Sequence, residues 1–325
     1  MGKKMKVLSL FDGIAGARQA LKELNIDCDY YASEVDKYAI EIANKNHPDI
    51  IHIGDVKEVV YYYLDSKKWL SWAKDGYVTS TPINKIDLFI GGSPCQDLSI
   101  AKQDRKGLKG NRSSLFFEYV RILKEIKPKY FLLENVASMS KANRQEITDI
   151  LGVDPILINS AKLTAQQRKR LYWTNIPNIE QPEDKGIVLK DIIEGGFVDK
   201  DKSYCIDANY HKGGNLKSYF EKGRRQLVFD KPVRISQLNK DCQSGRIYSI
   251  DGKSVCLNAG GGGGGAKTGL YEFKDGIRKL TVTECERLQG FPDGYCDMVS
   301  KTQAYKALGN SFTVPVIKHI LKNIK

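Results

Sequence analysis

Asp87-Leu88-Phe89-Ile90-Gly91-Gly92-Ser93-Pro94-Cys95-Gln96 is a short apolar run that stops at two glycines and then presents a proline and a cysteine. An apolar run of this length, bounded by turn residues, suits a buried central strand of a parallel sheet. In open α/β sheets ligands bind beyond the carboxyl ends of such strands, so Cys95 is predicted to face a cleft. A cysteine in this place also matches a small core residue, because free cysteine is among the most buried residue types. The neighbouring stretches decide between the two.

Working outward, strand-like segments at 6–11, 30–35, 50–55, 87–92, 130–136, 155–161 and 170–176 alternate with helix-like segments at 17–24, 37–46, 115–126 and 144–151. This alternation predicts an α/β fold with a mainly parallel sheet covered on both faces, and function on the loops at one edge. From 178 to 277 it dissolves into glycine, short β-branched runs and polar turns. Glycines 260–265 form a low-complexity run that reads as a loop. Thr281 with Glu284 three residues on has the capping-box pattern at the start of a helix over 281–288.

The 325 residues are 41% hydrophobic and 28% charged, which suits a soluble protein with a substantial core. No apolar run approaches membrane-spanning length and residues 1–6 lead straight into a strand-like segment, so a cytoplasmic location without membrane attachment is expected. Seven scattered cysteines include no C-x-x-C pair, so neither a disulfide framework nor a metal site is expected. A net charge of +12 favours a polyanionic partner through counterion release, nucleic acid first. Lys102, Arg105, Lys106, Lys109 and Arg112 form a basic loop just beyond Cys95, with Asp104 as its one acid. A second basic stretch runs from Lys212 through Lys217, Lys222, Arg224, Arg225 and Lys231 to Arg234, interleaved with Tyr210, Tyr219 and Phe220. Either could also be a solvated face.

The predicted strand ends carry the remaining chemistry. Phe11-Asp12-Gly13-Ile14-Ala15-Gly16 is a glycine turn before a helix, suited to close backbone approach by a ligand but short of the full dinucleotide fingerprint. Glu34 follows about 20 residues later, the place of a ribose-binding acid, and Asp55 adds an acceptor suited to an adenine amino group. Helix capping would call for the same carboxylates. Glu134-Asn135-Val136 would set a carboxylate across the cleft from Cys95, where apolar surroundings would favour its protonated form. Gln166-Gln167-Arg168-Lys169-Arg170 places Arg168 and Arg170 on one face of an extended chain, as a pair gripping an oxyanion, phosphate or base edge requires.

These stretches, in this order, closely resemble the DNA cytosine-5 methyltransferases. The resemblance runs on through Leu280-Thr281, Glu284, Arg287 and Gly290-Phe291-Pro292 to Gly309-Asn310-Ser311-Phe312. It implies a Rossmann-like S-adenosylmethionine-dependent methyltransferase fold with a mainly parallel seven-stranded sheet and a smaller β-rich target recognition domain. The catalytic domain would be discontinuous, 1–177 with 278–325, and the recognition domain would span 178–277. Phe11, Asp12, Gly13, Ile14, Gly16, Glu34, Val35, Asp55, Val56, Pro94, Leu115, Asn310 and Ser311 would hold S-adenosylmethionine. Family members often have an aromatic where this chain has Val35, which leaves an apolar contact there. Cys95, Glu134, Arg168 and Arg170 would be catalytic. Gln96, Ser99, Lys102, Arg105, Lys106, Lys109, Arg112, Arg224 and Arg225 would contact double-stranded DNA. Accessory chromatin-reading domains like those of the animal de novo enzymes are absent, so a monomeric bacterial or phage enzyme is expected, with a cognate restriction endonuclease as a partner or a role in phage DNA modification.

The resemblance implies that Cys95 adds to C6 of a flipped-out cytosine and Glu134 bonds its N3 and amine. Arg170 would hold the base oxygen, and Arg168 a nearby phosphate or the loop. Two other readings are a catalytically silent DNA-binding protein of the same fold and a nicotinamide-dependent oxidoreductase. The first has no use for the set Cys95, Glu134, Arg168 and Arg170. The second leaves Cys95 and the twin arginines unexplained.

Overall fold

The computed structural model describes residues 4–64, 67–74, 77–93, 115–214, 216–229, 234–237, 246–248 and 277–324. Strands β1 (Met5–Leu10), β2 (Cys28–Ser33) and β3 (Ile51–His52) come first. An antiparallel meander of β4 (Val60–Leu64), β5 (Lys67–Lys74) and β6 (Tyr77–Pro82) follows, then β7 (Leu88–Gly91), β8 (Tyr130–Val136), β9 (Ile156–Asn159) and β10 (Lys169–Thr174). Seven of these form one sheet in the order β3-β2-β1-β7-β8-β10-β9, parallel except for β10, which runs antiparallel to both neighbours. The expected α/β architecture with a mainly parallel seven-stranded sheet is therefore present.

The two-residue side-chain period divides the core. Val7, Leu88, Ile90 and Leu132 point to one face, and Leu8, Phe89, Phe131 and Leu133 to the other. Helices α1 (Gly16–Glu23) and α2 (Lys37–Asn46) contribute to the first layer, and α3 (Leu115–Ile126) and α4 (Lys141–Leu151) to the second. All four residues of β7 are buried, as a strand covered on both faces requires. Ser140 caps α4 by accepting from the Asn143 amide at 3.1 Å, which starts that helix three residues before the expected position.

Beyond the sheet, α5 (Leu216–Lys222), β11 (Leu227–Phe229), β12 (Arg234–Gln237), β13 (Arg246–Tyr248) and β14 (Ile277–Lys279) make two short antiparallel pairs, β11 with β14 and β12 with β13. Leu189, Ile192, Ile206, Tyr210 and Val228 bury themselves in the first core layer, while Tyr219, Leu227 and Phe229 form a small cluster of their own. The chain then returns through α6 (Val282–Gln289), α7 (Lys301–Asn310) and α8 (Val314–Leu321). The expected capping box is formed at α6: the Thr281 hydroxyl accepts from the Glu284 amide and Glu284 from the Thr281 amide, at 3.1 and 2.8 Å. Apolar residues of α8 pack on α1, and Lys318 pairs with Glu23 at 3.2 Å.

Two elements differ from expectation. The third strand has two residues, with Ile53 adding one ladder bond to the Ala32 carbonyl at 2.9 Å before the chain turns at Gly54. The meander over residues 60–82 has no counterpart in the sequence reading, although Val60-Tyr61-Tyr62-Tyr63 and the Asp75-Gly76 pair are strand and hairpin signals. Its inner residues Tyr61, Leu70 and Trp72 extend the second core layer.

Candidate active site

A pocket of about 520 Å³ runs across the carboxyl ends of the parallel strands. One end is walled by Phe11, Glu34, Val35 and Asp55, the other by Glu134, Arg168 and Arg170, and the end of α7 closes a side with Lys306, Gly309 and Asn310.

At the end of β1 the backbone turns through Phe11, Gly13 and Ala15 with φ of 56°, 59° and 61°. Two of these are not glycine, so the loop stores about 1 kcal/mol or more at each, a kind of strain that clusters at functional sites. The loop is held from below. The Asp12 carboxylate accepts from the Ser9 hydroxyl and the Tyr30 phenol, both at 2.6 Å, and the Tyr295 phenol donates to the Ile14 carbonyl at 2.9 Å. Asp12 is 4% exposed and its second oxygen has no partner among the described residues. Burial pushes its carboxyl up to about 6, against the two hydroxyl bonds that pull it down.

The neighbouring strand ends present carboxylates as expected. Glu34 accepts from the Gly13, Val35 and Asp36 amides at 2.8, 2.8 and 2.9 Å, which locks it into the pocket wall. Asp36 and Asp55 both act as caps, accepting from the Tyr38 amide at 3.1 Å and the Lys57 amide at 3.0 Å. Capping and pocket lining are thus not alternatives here. Lys306 of α7 reaches across to pair with Asp36, which lowers the Asp36 carboxyl despite partial burial. Val35 is 69% exposed against the pocket, a free apolar surface.

The end of β7 is clamped between two rings. A Cβ on Gly91 would stand 3.0 Å from the Tyr119 ring, and one on Gly92 would stand 3.1 Å from Phe312 and 3.4 Å from the Glu134 carboxylate. Ser93, the residue before Pro94, accepts at its hydroxyl from the Asn135 side chain at 3.2 Å, so β8 fixes where the segment carrying Cys95 departs.

Glu134 projects from β8 and pairs with Arg170 of β10, Oε1 to Nε at 2.9 Å. Its surroundings are therefore an ion pair instead of the apolar ones expected. Arg168 is 3% exposed. Its guanidinium donates to the carbonyls of Ile206 at 3.2 Å, Gly309 at 3.3 Å and Ser311 at 2.9 Å, and to the Cys205 sulfur at 3.5 Å. It thereby ties β10 to the 205–206 segment and to the end of α7. Gly309 allows this, since a Cβ there would meet the Asp207 carbonyl carbon at 2.4 Å. Gln166 joins the same buried network, accepting from the Ile206 amide at 2.9 Å.

Of the residues expected around a cofactor, Phe11, Gly13, Glu34, Val35, Asp55, Val56, Leu115 and Asn310 line the pocket. Ile14 and Ser311 are buried outside its lining, as is Asp12. Gly16 does not line the pocket, and a Cβ added there would stand 3.3 Å from Phe312 and 3.5 Å from Phe291, so the absence of a side chain lets these rings pack closely. Pro94, Cys95, Gln96, Ser99, Lys102, Arg105, Lys106, Lys109 and Arg112 lie outside the described residues, as do Lys231 and glycines 260–265. Arg224 is exposed. Arg225 bends back toward Asp207 and donates to the Lys212 carbonyl at 3.5 Å. The sequence reading passed over the positions of Lys306, Tyr295 and Cys205, whose roles depend on contacts distant in the chain.

A doubly covered parallel sheet with carboxylates, a strained glycine turn and an ion pair along one pocket defines an α/β enzyme acting at its strand ends. The chain belongs to the C-5 cytosine-specific DNA methylase family, whose pattern it matches over residues 5–325, and it is a DNA cytosine methyltransferase. It is 30% identical to the Type II methyltransferase M.HhaI of Haemophilus parahaemolyticus, over 98% of this chain and 94% of that protein. It is 31% identical to the Type II methyltransferase M.FnuDI of Fusobacterium nucleatum, over 99% and 94%. In fold it is similar to the Entamoeba histolytica methyltransferase EhMeth, with a TM-score of 0.63 at 14% identity over 99% and 98% of the two chains. It is likewise similar to S. pombe Dnmt2, with 0.58 at 16% over 98% and 99%. No helix among the described residues is long and apolar enough to cross a membrane.

Proposed function

We propose that this chain methylates C5 of a flipped-out cytosine in a specific duplex sequence, using S-adenosylmethionine and a covalent adduct at Cys95. The observation that carries the reading is the continuous pocket with ribose- and adenine-type acceptors at one end and the Glu134–Arg170 pair at the other. The fit to the cofactor rests on three features of the pocket. Glu34 and Asp55 offer acceptors, Val35 offers an apolar face, and the buried Gln303 carbonyl oxygen in the same wall has no partner among the described residues. When bound, S-adenosylmethionine supplies an electrophilic methyl group on a sulfonium.

Cytosine C5 is a poor nucleophile, and the chain's own residues correct this. The Cys95 thiolate adds to C6 and moves electron density onto C5, while Glu134, oriented by Arg170, bonds at N3 and the exocyclic amine to favour the electron-rich ring. After methylation, loss of the C5 proton lets the C6–S bond break and returns the thiolate. Arg170 also faces the base oxygen. Arg168, expected to hold a nearby phosphate or the loop, acts here through the backbone it grips. The target must leave the stack, as methyltransferases require.

We assign residues 1–177 and 278–325 to catalysis and 178–277, with its basic and aromatic stretch, to target recognition. Gln96, Ser99 and the basic residues 102–112, together with Arg224 and Arg225, would contact the DNA. The likeness to two Type II methyltransferases supports a role as a modification enzyme, and on this reading the chain acts as a monomer in the cytoplasm and protects DNA from a paired endonuclease. Bisulfite sequencing of DNA from cells expressing the chain tests this: cytosines protected in one fixed context are expected, and an unmodified genome would count against it.

A further inference from the structure

Arg168 is a nearly fully buried cation with no carboxylate partner among the described residues, where Glu134 is paired with Arg170. A buried charge is costly unless it is paired. Among the described residues, the oxygens it reaches are backbone carbonyls and its Nε has no partner. The side-chain acceptor it reaches among them is the half-buried Cys205 sulfur, 3.5 Å from Nη1. We propose that Cys205 is a positioning residue for methyl transfer: as a thiolate it is the counterion of Arg168, and it holds the twin arginines docked between the Glu134 carboxylate and the end of α7.

The arrangement of charges supports this. Arg168 and Arg170 are two cations beside the Glu134 carboxylate, and Cys205 is an acid in contact with Arg168. Burial by itself would raise the Cys205 thiol, yet the field and hydrogen bonds of Arg168 and Arg170 outweigh it and bring the group below its ordinary value. Among the described residues, the other titratable groups facing this cluster are Glu134, through Arg170, and the buried Tyr172 phenol, while Gly309 and Ser311 at the α7 end contribute carbonyls. Nη1 is 3.5 Å from the sulfur and 3.2 Å from the Ile206 carbonyl, and a protonated Cys205 would itself donate to that carbonyl at 3.5 Å, so sulfur and carbonyl share the one cationic donor once the thiol ionises.

The catalytic consequence rests on the role proposed above for Arg170, but the ionisation does not. Thiolate ultraviolet absorbance, titrated in the parent and in Cys205→Ser, isolates this group because Cys95 is common to both. A one-thiolate difference is expected below about pH 8.5, the ordinary cysteine value, moving upward in Arg168→Gln. Superimposable titrations below that pH would overturn the proposal. If Cys205→Ser does not fold, peptide-mapped iodoacetamide labelling of the parent reads the same ionisation, and a midpoint at or above the ordinary value overturns it equally. For methyl transfer, Cys205→Ala should lose about tenfold in kcat and Cys205→Asp should recover most of it by restoring a negative charge. Full activity of Cys205→Ala, or equal loss in both variants, would overturn the positioning role. A parent without any methyl transfer would instead refute the proposed function and leave the absorbance result standing.

Discussion

Nε of Arg170 lies 2.9 Å from Oε1 of Glu134, and the two side chains come from adjacent antiparallel strands whose register sets Tyr172 opposite Glu134. A charge-assisted bond of this kind fixes the rotation of a carboxylate as well as its position. The pair thus points Glu134 into the pocket by the geometry of two paired strands, which do not move independently.

That arrangement predicts a separation of effects. Glu134→Gln should lower kcat by at least about 100-fold, roughly 2.7 kcal/mol of transition-state stabilisation, while cofactor affinity stays within about threefold. Steady-state methyl transfer beside calorimetric titration with S-adenosylmethionine measures both. Equal losses would remove Glu134 from the chemical step.

Cys95 stands two residues beyond Ser93, whose hydroxyl is bonded to Asn135. Cys95→Ala should abolish methyl transfer and keep duplex binding within a few-fold, read by labelled-methyl incorporation and by gel shift. Retained turnover would contradict the nucleophile assignment.

The Gly309 backbone meets Asp207 with no space for a methyl group, since an added Cβ would stand 2.4 Å from the Asp207 carbonyl carbon. Gly309→Ala should cost about 1–3 kcal/mol in denaturant unfolding, because backbone on both sides cannot yield as a side chain can. It should also loosen Arg168, which donates to the Gly309 carbonyl. A stability equal to that of the parent would mean the 205–208 segment is free to move aside.

Asp12 makes stability depend on pH in a defined direction. Its folded-state value of about 6 lies above the ordinary carboxylate value of 3.8, so the fold favours the protonated form. That contribution is fully present below the ordinary value and is lost as pH rises through about 6, at a cost of up to about 3 kcal/mol near neutrality. Asp12→Asn, which keeps an acceptor for Ser9 and Tyr30, should therefore raise stability at pH 8 and change it little at pH 4. Urea unfolding at the two pH values checks it, and the opposite order would show that Asp12 is ionised without penalty.

Much of the site was legible because its residues close local motifs at strand ends. Glu34, Asp55, Glu134 and the glycine turn are placed by the alternation of strands and helices, and the Thr281–Glu284 box is set by a spacing of three. The meander over 60–82 carried β-branched and aromatic signals but broke the strand-helix alternation used to find the sheet. The close packing at Gly16 and the carbonyl contacts of Arg168 were not legible in the sequence. Their partners, Phe312 and the Gly309 and Ser311 carbonyls, stand far along the chain.

The opening stretch shows the division. By itself Asp87-to-Gln96 determined that a buried strand ends in two glycines before a cysteine, because apolar run length and turn residues are local properties. Only the tertiary structure decided why both glycines are needed, since Tyr119 and Phe312 close on them from opposite sides of the sheet. It also decided that Glu134 is an ion-paired carboxylate and that a second thiol, Cys205, sits against the buried Arg168. Charge balance in a buried cluster depends on which distant groups the fold brings within reach, and no local pattern encodes that.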